Sequence, residues 1–177
     1  MRALLERHGY VAESQRTLEA DQLYDLADNS IRGADKILRL RKESNAAGML
    51  WTLTYKGPAE RGRYKIREEL EVELADGQGL SVILQRLGYI PGFRYEKYRT
   101  KFRKSGEPGI VTVDETPVGI FLELEGPKGW IDETATGLGF SVADYVILSY
   151  AVLWKEYRAG GSNIPEDMIF TTPPTSI

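Results

Sequence analysis

Between Lys65 and Leu74 the chain alternates strictly enough to dictate a β-strand with two unlike faces. In a strand, successive side chains point to opposite sides. One face of this stretch therefore carries Lys65, Arg67, Glu69, Glu71 and Glu73, and the other carries Ile66, Glu68, Leu70, Val72 and Leu74. A chain that repeated this pattern could only form a sheet with one charged and one apolar surface, and this chain does repeat it.

Lys36 to Glu43 sets Arg39 and Arg41 against Leu38 and Leu40, and Met49 to Lys56 sets Thr52, Thr54 and Lys56 against Trp51, Leu53 and Tyr55. Phe93 to Arg103 puts Tyr95, Lys97, Arg99, Lys101 and Arg103 on one side. Ile110 to Thr116 contributes Thr112 and Asp114, and Gly119 to Glu125 contributes Glu123 and Glu125. Arg16 to Asp25 is a further strand, containing Glu19, Asp21, Tyr24 and Asp25. Breaks fall at Ser44 to Gly48, Gly57-Pro58, Asp76-Gly77 and Thr116 to Gly119, where turn residues cluster. Helical spacing appears at Arg2 to His8, Leu80 to Leu87 and Ile131 to Leu138, each followed by glycine. Ser141 to Arg158 reads as the longest helix, with Ser141 as N-cap and Asp144 three residues on. The expected architecture is α+β, one domain over 1–158. The tail 159–177 holds Gly160-Gly161 and three prolines, and is expected to be a flexible or loosely docked end.

Composition removes several classes of function. A length of 177 residues suits one domain. With 23 basic against 26 acidic residues, the basic excess of a nucleic-acid binder is missing. There is no cysteine, so thiolate chemistry and cysteine metal sites are excluded, and one histidine, His8, makes no triad or histidine metal site. No apolar run is long enough to span a bilayer, and a cytoplasmic protein is expected.

For a single strand, a charged face directed to water is the ordinary reading. Taken together, Arg39, Arg41, Lys56, Arg67, Lys97 and Arg99 lie on the same side of their strands as Glu69, Glu71, Asp114, Glu123 and Glu125. Curling the sheet into a barrel would bring these faces onto one lumen. Buried charges need partners. Phosphate oxygens suit the guanidinium and ammonium groups, and a hard divalent cation suits the carboxylates. A metal-bridged polyphosphate satisfies both.

These residues also carry a resemblance. Asp21-x-x-Tyr24-Asp25, Leu38-Arg39-Leu40-Arg41, Leu53-Thr54-Tyr55-Lys56-Gly57-Pro58, Arg67-Glu68-Glu69-Leu70-Glu71, Glu96-Lys97-Tyr98-Arg99, Val113-Asp114-Glu115 and Gly119-Ile120-Phe121-Leu122-Glu123-Leu124-Glu125 follow in that order. In this the chain resembles the CYTH superfamily of triphosphate tunnel enzymes, which includes class IV adenylate cyclases, thiamine triphosphatases and inorganic triphosphatases. The resemblance implies an eight-stranded antiparallel barrel with helices outside. It implies that Arg39, Arg41, Lys56, Arg67, Lys97 and Arg99 hold a triphosphate, and that Glu69, Asp114, Glu123 and Glu125 hold Mg2+ or Mn2+. Tyr-Lys-Gly-Pro and Glu-Gly-Pro are most similar to the class IV adenylate cyclase branch, which converts ATP to cyclic AMP and pyrophosphate. Hydrolysis of an inorganic or organic triphosphate is the alternative, and a catalytically impaired polyphosphate or nucleotide binder is a third. The family's opening Glu-x-Glu-x-Lys strand has no counterpart here, so no catalytic residue is assigned. A start upstream of Met1 is expected rather than natural loss. A barrel short of one strand would expose two edges, which a partner chain or the tail could cover, so a homodimer is possible. Asp21 and Asp25 are read as loop caps, Tyr24 as a packed aromatic at the barrel end, and Lys101 and Arg103 as surface charges.

Overall fold

The computed structural model describes residues 1–60, 62–161, 164–172 and 174. Its strands are β1 (Val11–Ala12), β2 (Thr17–Asp25), β3 (Ile37–Asn45), β4 (Gly48–Lys56), β5 (Glu69–Leu74), β6 (Ile90–Arg103), β7 (Ile110–Thr116) and β8 (Gly119–Glu125). Its helices are α1 (Arg2–Arg7), α2 (Ser30–Gly33), α3 (Gly77–Arg86), α4 (Lys128–Gly137) and α5 (Tyr150–Ala159). The strands make one sheet in the order β5-β4-β3-β2-β6-β7-β8, with the two-residue β1 beside the end of β6. All pairings between these strands are antiparallel. The fold is α+β, as the alternation predicts.

Helices α1, α3 and α4 pack against the apolar face. Leu5, Tyr10, Phe102, Val111, Val113, Trp130 and Leu138 form one core, and Tyr24, Leu40 and Leu84 the centre of a second under α3. Trp130 packs so tightly against the segment before β7 that a Cβ on Gly109 would lie 2.2 Å from its ring. Tyr24 is buried and donates its hydroxyl to Ser81 Oγ at 2.8 Å, the packed barrel-end role expected of it.

The sheet is open between β5 and β8, but its two ends approach each other. Arg63 and Tyr64, in the loop before β5, both donate to Asp132 on α4, the helix that follows β8. Tyr145 donates to the other oxygen of Asp132 at 2.9 Å. These contacts bring the loop before β5 against the helix after β8, compatible with a curled sheet whose inner face carries the charged residues.

Three expectations need correction. The strand read over 65–74 begins only at Glu69, because Lys65 to Arg67 belong to the loop that crosses toward α4. Leu70 and Val72 do not pack against a helix; each is nearly 60% exposed, since β5 is an edge strand and α3 lies over its neighbours. The helix read over 141–158 is broken. A single 3-10 turn at Val142–Asp144 has the Ser141–Asp144 capping box, and α5 starts anew behind Ser149, whose hydroxyl accepts from Val152 N. Part of the tail, expected to be a flexible or loosely docked end over 159–177, lies against the sheet. Met168 is fully buried, and its backbone bonds Arg94 and Glu96 of β6 beyond the end of β7, where the edge of β6 is free to accept a neighbour. No helix among the described residues is long and apolar enough to cross a membrane.

Candidate triphosphate and metal site

The register places Glu19 opposite Lys97 and Glu43, Asp21 opposite Arg41 and Tyr95, Arg39 opposite Thr54, Thr54 opposite Glu71, Lys56 opposite Glu69, and Arg99 opposite Asp114. The strands thus collect cations and carboxylates on the inner face as neighbouring pairs. Arg39, Arg41, Lys97 and Arg99 are all buried, as are Glu19, Asp21 and Asp114.

At one end of this face, Arg41 grips Asp21 through Nε to Oδ1 at 2.8 Å and Nη2 to Oδ2 at 3.0 Å. Arg39 Nε lies 3.4 Å from Asp21 Oδ1, and its Nη2 donates to Thr54 Oγ1 and Glu71 Oε1 at 3.0 and 3.2 Å. Lys56 pairs with Glu69 at 2.7 Å. At the other end, Asp114 accepts from Lys97 Nζ at 2.6 Å, from Arg99 Nε and Nη2 at 2.7 and 2.6 Å, and from the Tyr150 hydroxyl at 2.8 Å. Arg99 also donates to Glu123, and Glu125 stands 3.9 Å from it. The Tyr150 hydroxyl reaches Glu123 Oε1 at 2.9 Å, while its ring packs between Tyr95 and Phe121.

Five of the six cations expected to hold a triphosphate therefore share the inner face. Arg67 is the exception. From its loop it donates to the Asp35 and Gly57 carbonyls at 2.6 and 2.9 Å, and to Asp35 Oδ1 at 2.8 Å. Of the residues expected to hold a metal, Asp114 and Glu123 converge on Arg99 and Tyr150, Glu125 is beside them, and Glu69 sits across the sheet on Lys56. Among the described residues no three carboxylates are gathered into a preformed metal cluster. Two convergent carboxylates still fit Mg2+, which keeps several waters and takes its remaining oxygens from substrate phosphates.

Three residues of this face escaped the reading of the sequence. Asp21 was read as a loop cap, but it is the buried partner of Arg41; the cap is Asp25, which accepts from the backbone of Leu26, Ile31 and Arg32. Glu19 sits among the cations, and its position two residues before Asp21 already placed it on the same face. Tyr150 lay hidden inside a supposed long helix, and Ser149 as a second N-cap was the available signal.

Burial opposes the charged form of each group, and the partners decide the outcome. For Asp114 burial alone would raise the pKa, but the Arg99 hydrogen bonds and the charges of Lys97 and Arg99 hold it well below the carboxylate range. Asp21 is lowered in the same way, against its own burial, by Arg41 and Arg39. Lys97 and Arg99 are raised, their desolvation outweighed by Glu123, Asp114 and Glu19. Burial, then the charges of Glu123 and Asp114, keep Tyr150 a neutral phenol.

Acid sensitivity follows with a definite sign. A carboxylate with a depressed folded pKa contributes stability that is complete above its unfolded pKa and lost as pH falls toward the folded value. Urea unfolding should therefore give steady stability from pH 7 to about 5, then a fall steepening below about 4 toward ~2.7 kcal/mol per pH unit from these two carboxylates alone. A flat profile down to pH 2.5 would mean that Asp21 and Asp114 are not held as described.

Comparisons with known proteins bear on the family and the fold. A candidate adenylate cyclase of Methanocaldococcus jannaschii is 31% identical over 121 residues, and the matched stretch spans 67% of this chain and 65% of that protein's length. The PH1819 protein of Pyrococcus horikoshii superposes with a TM-score of 0.74 at 26% identity, covering 89% of this chain and 95% of its own. A candidate adenylyl cyclase from Hippeastrum, described as revealing a dominant triphosphatase activity, shares the fold at 17% identity and a TM-score of 0.62, with 89% of each chain covered. The CYTH domain profile matches residues 3–136, and the chain belongs to the CYTH domain family.

Proposed function

We propose that this chain is an enzyme that processes a triphosphate with the help of Mg2+ or Mn2+, most similar to adenylate cyclases that convert ATP to cyclic AMP and pyrophosphate. The observation that carries the reading is the inner face itself, where Arg39, Arg41, Lys97 and Arg99 from two strands are buried beside Asp21 and Asp114. A purely structural sheet would leave such a face in water, because burying charges costs several kcal/mol per ion before pairing.

In this reading Arg39, Arg41, Lys56, Lys97 and Arg99 hold the phosphoryl oxygens, the arginines through paired N–H donors and the lysines as point charges. Arg67 contributes only after releasing Asp35. Asp114 and Glu123, with Glu125 and Glu69 as further oxygen donors, would hold the divalent cation, which would neutralise charge on the phosphate oxygens. Tyr150, whose hydroxyl now reaches both Asp114 and Glu123, would share those carboxylates with the cation. In cyclisation the 3′-hydroxyl of ATP attacks the α-phosphorus and pyrophosphate leaves. The same charges serve hydrolysis, in which water attacks the terminal phosphorus. The activity described for the Hippeastrum protein favours that as the second reading.

Phosphorus NMR of the protein with Mn2+ or Mg2+, given ATP and separately tripolyphosphate, tests the proposal. Cyclic AMP with pyrophosphate is expected from ATP. Orthophosphate from either substrate would assign the hydrolase instead, and neither product from either substrate would refute an enzymatic role for this chain.

A further inference from the structure

Glu19 is 2% exposed on the inner face of the sheet, and its charge is shared among three cations. Its Oε2 lies 2.8 Å from Arg41 Nη1 and 3.4 Å from Lys97 Nζ, and its Oε1 lies 3.7 Å from Arg99 Nε. Yet no hydrogen bond of proper geometry reaches Oε2. The other two buried carboxylates of the face are fixed differently. Asp21 is held by both arms of the Arg41 fork, and Asp114 by Arg99, Lys97 and Tyr150. Glu19 is thus the carboxylate whose place is set by charge alone. Beside it Glu43, 4.0 Å from Arg41, adds a like charge that makes the position less secure.

We propose that Glu19 is the resident counter-anion of this site, filling the space among Arg41, Lys97 and Arg99 that a phosphoryl group takes when substrate enters. This rests on the triphosphate reading above and deepens it. Asp21 answers Arg41 and Asp114 is shared by Lys97 and Arg99, so the three buried cations carry more charge than these two carboxylates neutralise, and a chain that must be stable before it meets substrate needs a further anion among them. A carboxylate offers the same kind of oxygen acceptors to guanidinium and ammonium groups as a phosphoryl group, with less charge. A ligand must then displace or outbid Glu19. A group of low charge cannot, whereas a triphosphate can. Glu19 is on this account a specificity-determining residue that sets a threshold of charge for entry.

The consequence is a substitution that improves binding. Glu19→Gln keeps the shape and removes the charge. Isothermal titration with inorganic tripolyphosphate in EDTA, which leaves divalent cations out of the comparison, should show binding to the variant about tenfold tighter than to the unaltered chain. The melting temperature of the free variant should fall while its rise on adding tripolyphosphate grows. Glu19→Asp withdraws the carboxylate by one methylene and keeps its charge, so it should bind tripolyphosphate more tightly by a smaller factor, and it decides the matter if the glutamine variant does not fold. Equal or weaker binding by a folded variant, with measurable binding to the unaltered chain, would overturn the role of Glu19 and leave the triphosphate reading intact. If neither the unaltered chain nor a folded variant binds tripolyphosphate, the triphosphate reading falls, and this proposal with it.

Discussion

Asp114→Ala should lose about 3–5 kcal/mol of folding stability at neutral pH, the usual cost of removing one partner from a buried ionic cluster. Asp114 is fully buried and accepts four hydrogen bonds, two from Arg99 and one each from Lys97 and Tyr150. Alanine would leave Lys97 and Arg99 buried with Glu19, Glu123 and the more distant Glu125 to answer them. Urea unfolding measures the loss, and a change under about 1 kcal/mol would show that the cluster does not carry the weight its geometry implies. The same variant should have no metal-dependent turnover in the phosphorus NMR assay, because one of the two convergent carboxylates is gone. A further readout separates the two effects. Tripolyphosphate supplies anionic oxygens to the orphaned cations, so it should raise the melting temperature of Asp114→Ala more than that of the unaltered protein.

Arg41→Ala inverts the problem by leaving carboxylates unpaired. Arg41 is the bidentate partner of Asp21 and the nearest cation to Glu19, both almost wholly buried. Its removal should cost about 3 kcal/mol at pH 7.5 by the same reasoning. The cost should shrink toward pH 5. A buried carboxylate without its cation has a raised pKa, so it can be neutralised by a proton that the paired carboxylate would refuse. Parallel urea titrations at the two pH values check this. A deficit that stays constant or widens in acid would mean that Asp21 does not rely on Arg41. Lysine at this position should recover part of the stability but not the two-armed contact.

The strands were legible because their alternation is strict and their outer faces are apolar. Arg39, Arg41, Lys97 and Arg99 could be placed on one face from spacing alone, since a period of two admits no other arrangement within a strand. What spacing could not say was which groups touch. Asp21 and Arg41 meet because β2 and β3 pair in one register, and that register is a property of two strands together. Arg67 was misplaced for a related reason. Its alternation continues that of β5, but Asp35 and the Gly57 carbonyl hold it in the loop. Tyr150 and Met168 were least legible, since both come from segments without a strong period and owe their positions to contacts far away in the sequence.

Tyr150 has a bearing on how members of this family diverge. The shared profile ends at residue 136, so it includes Asp114 and Glu123 but stops short of the side chain that leans on both. The matched span and the segment that covers its carboxylates are separate stretches of the sequence. A chain can match the family throughout the common region and still carry a different residue over those carboxylates. Divergence among relatives then need not touch a single charge in the tunnel, because the cover can be exchanged while the lining is kept.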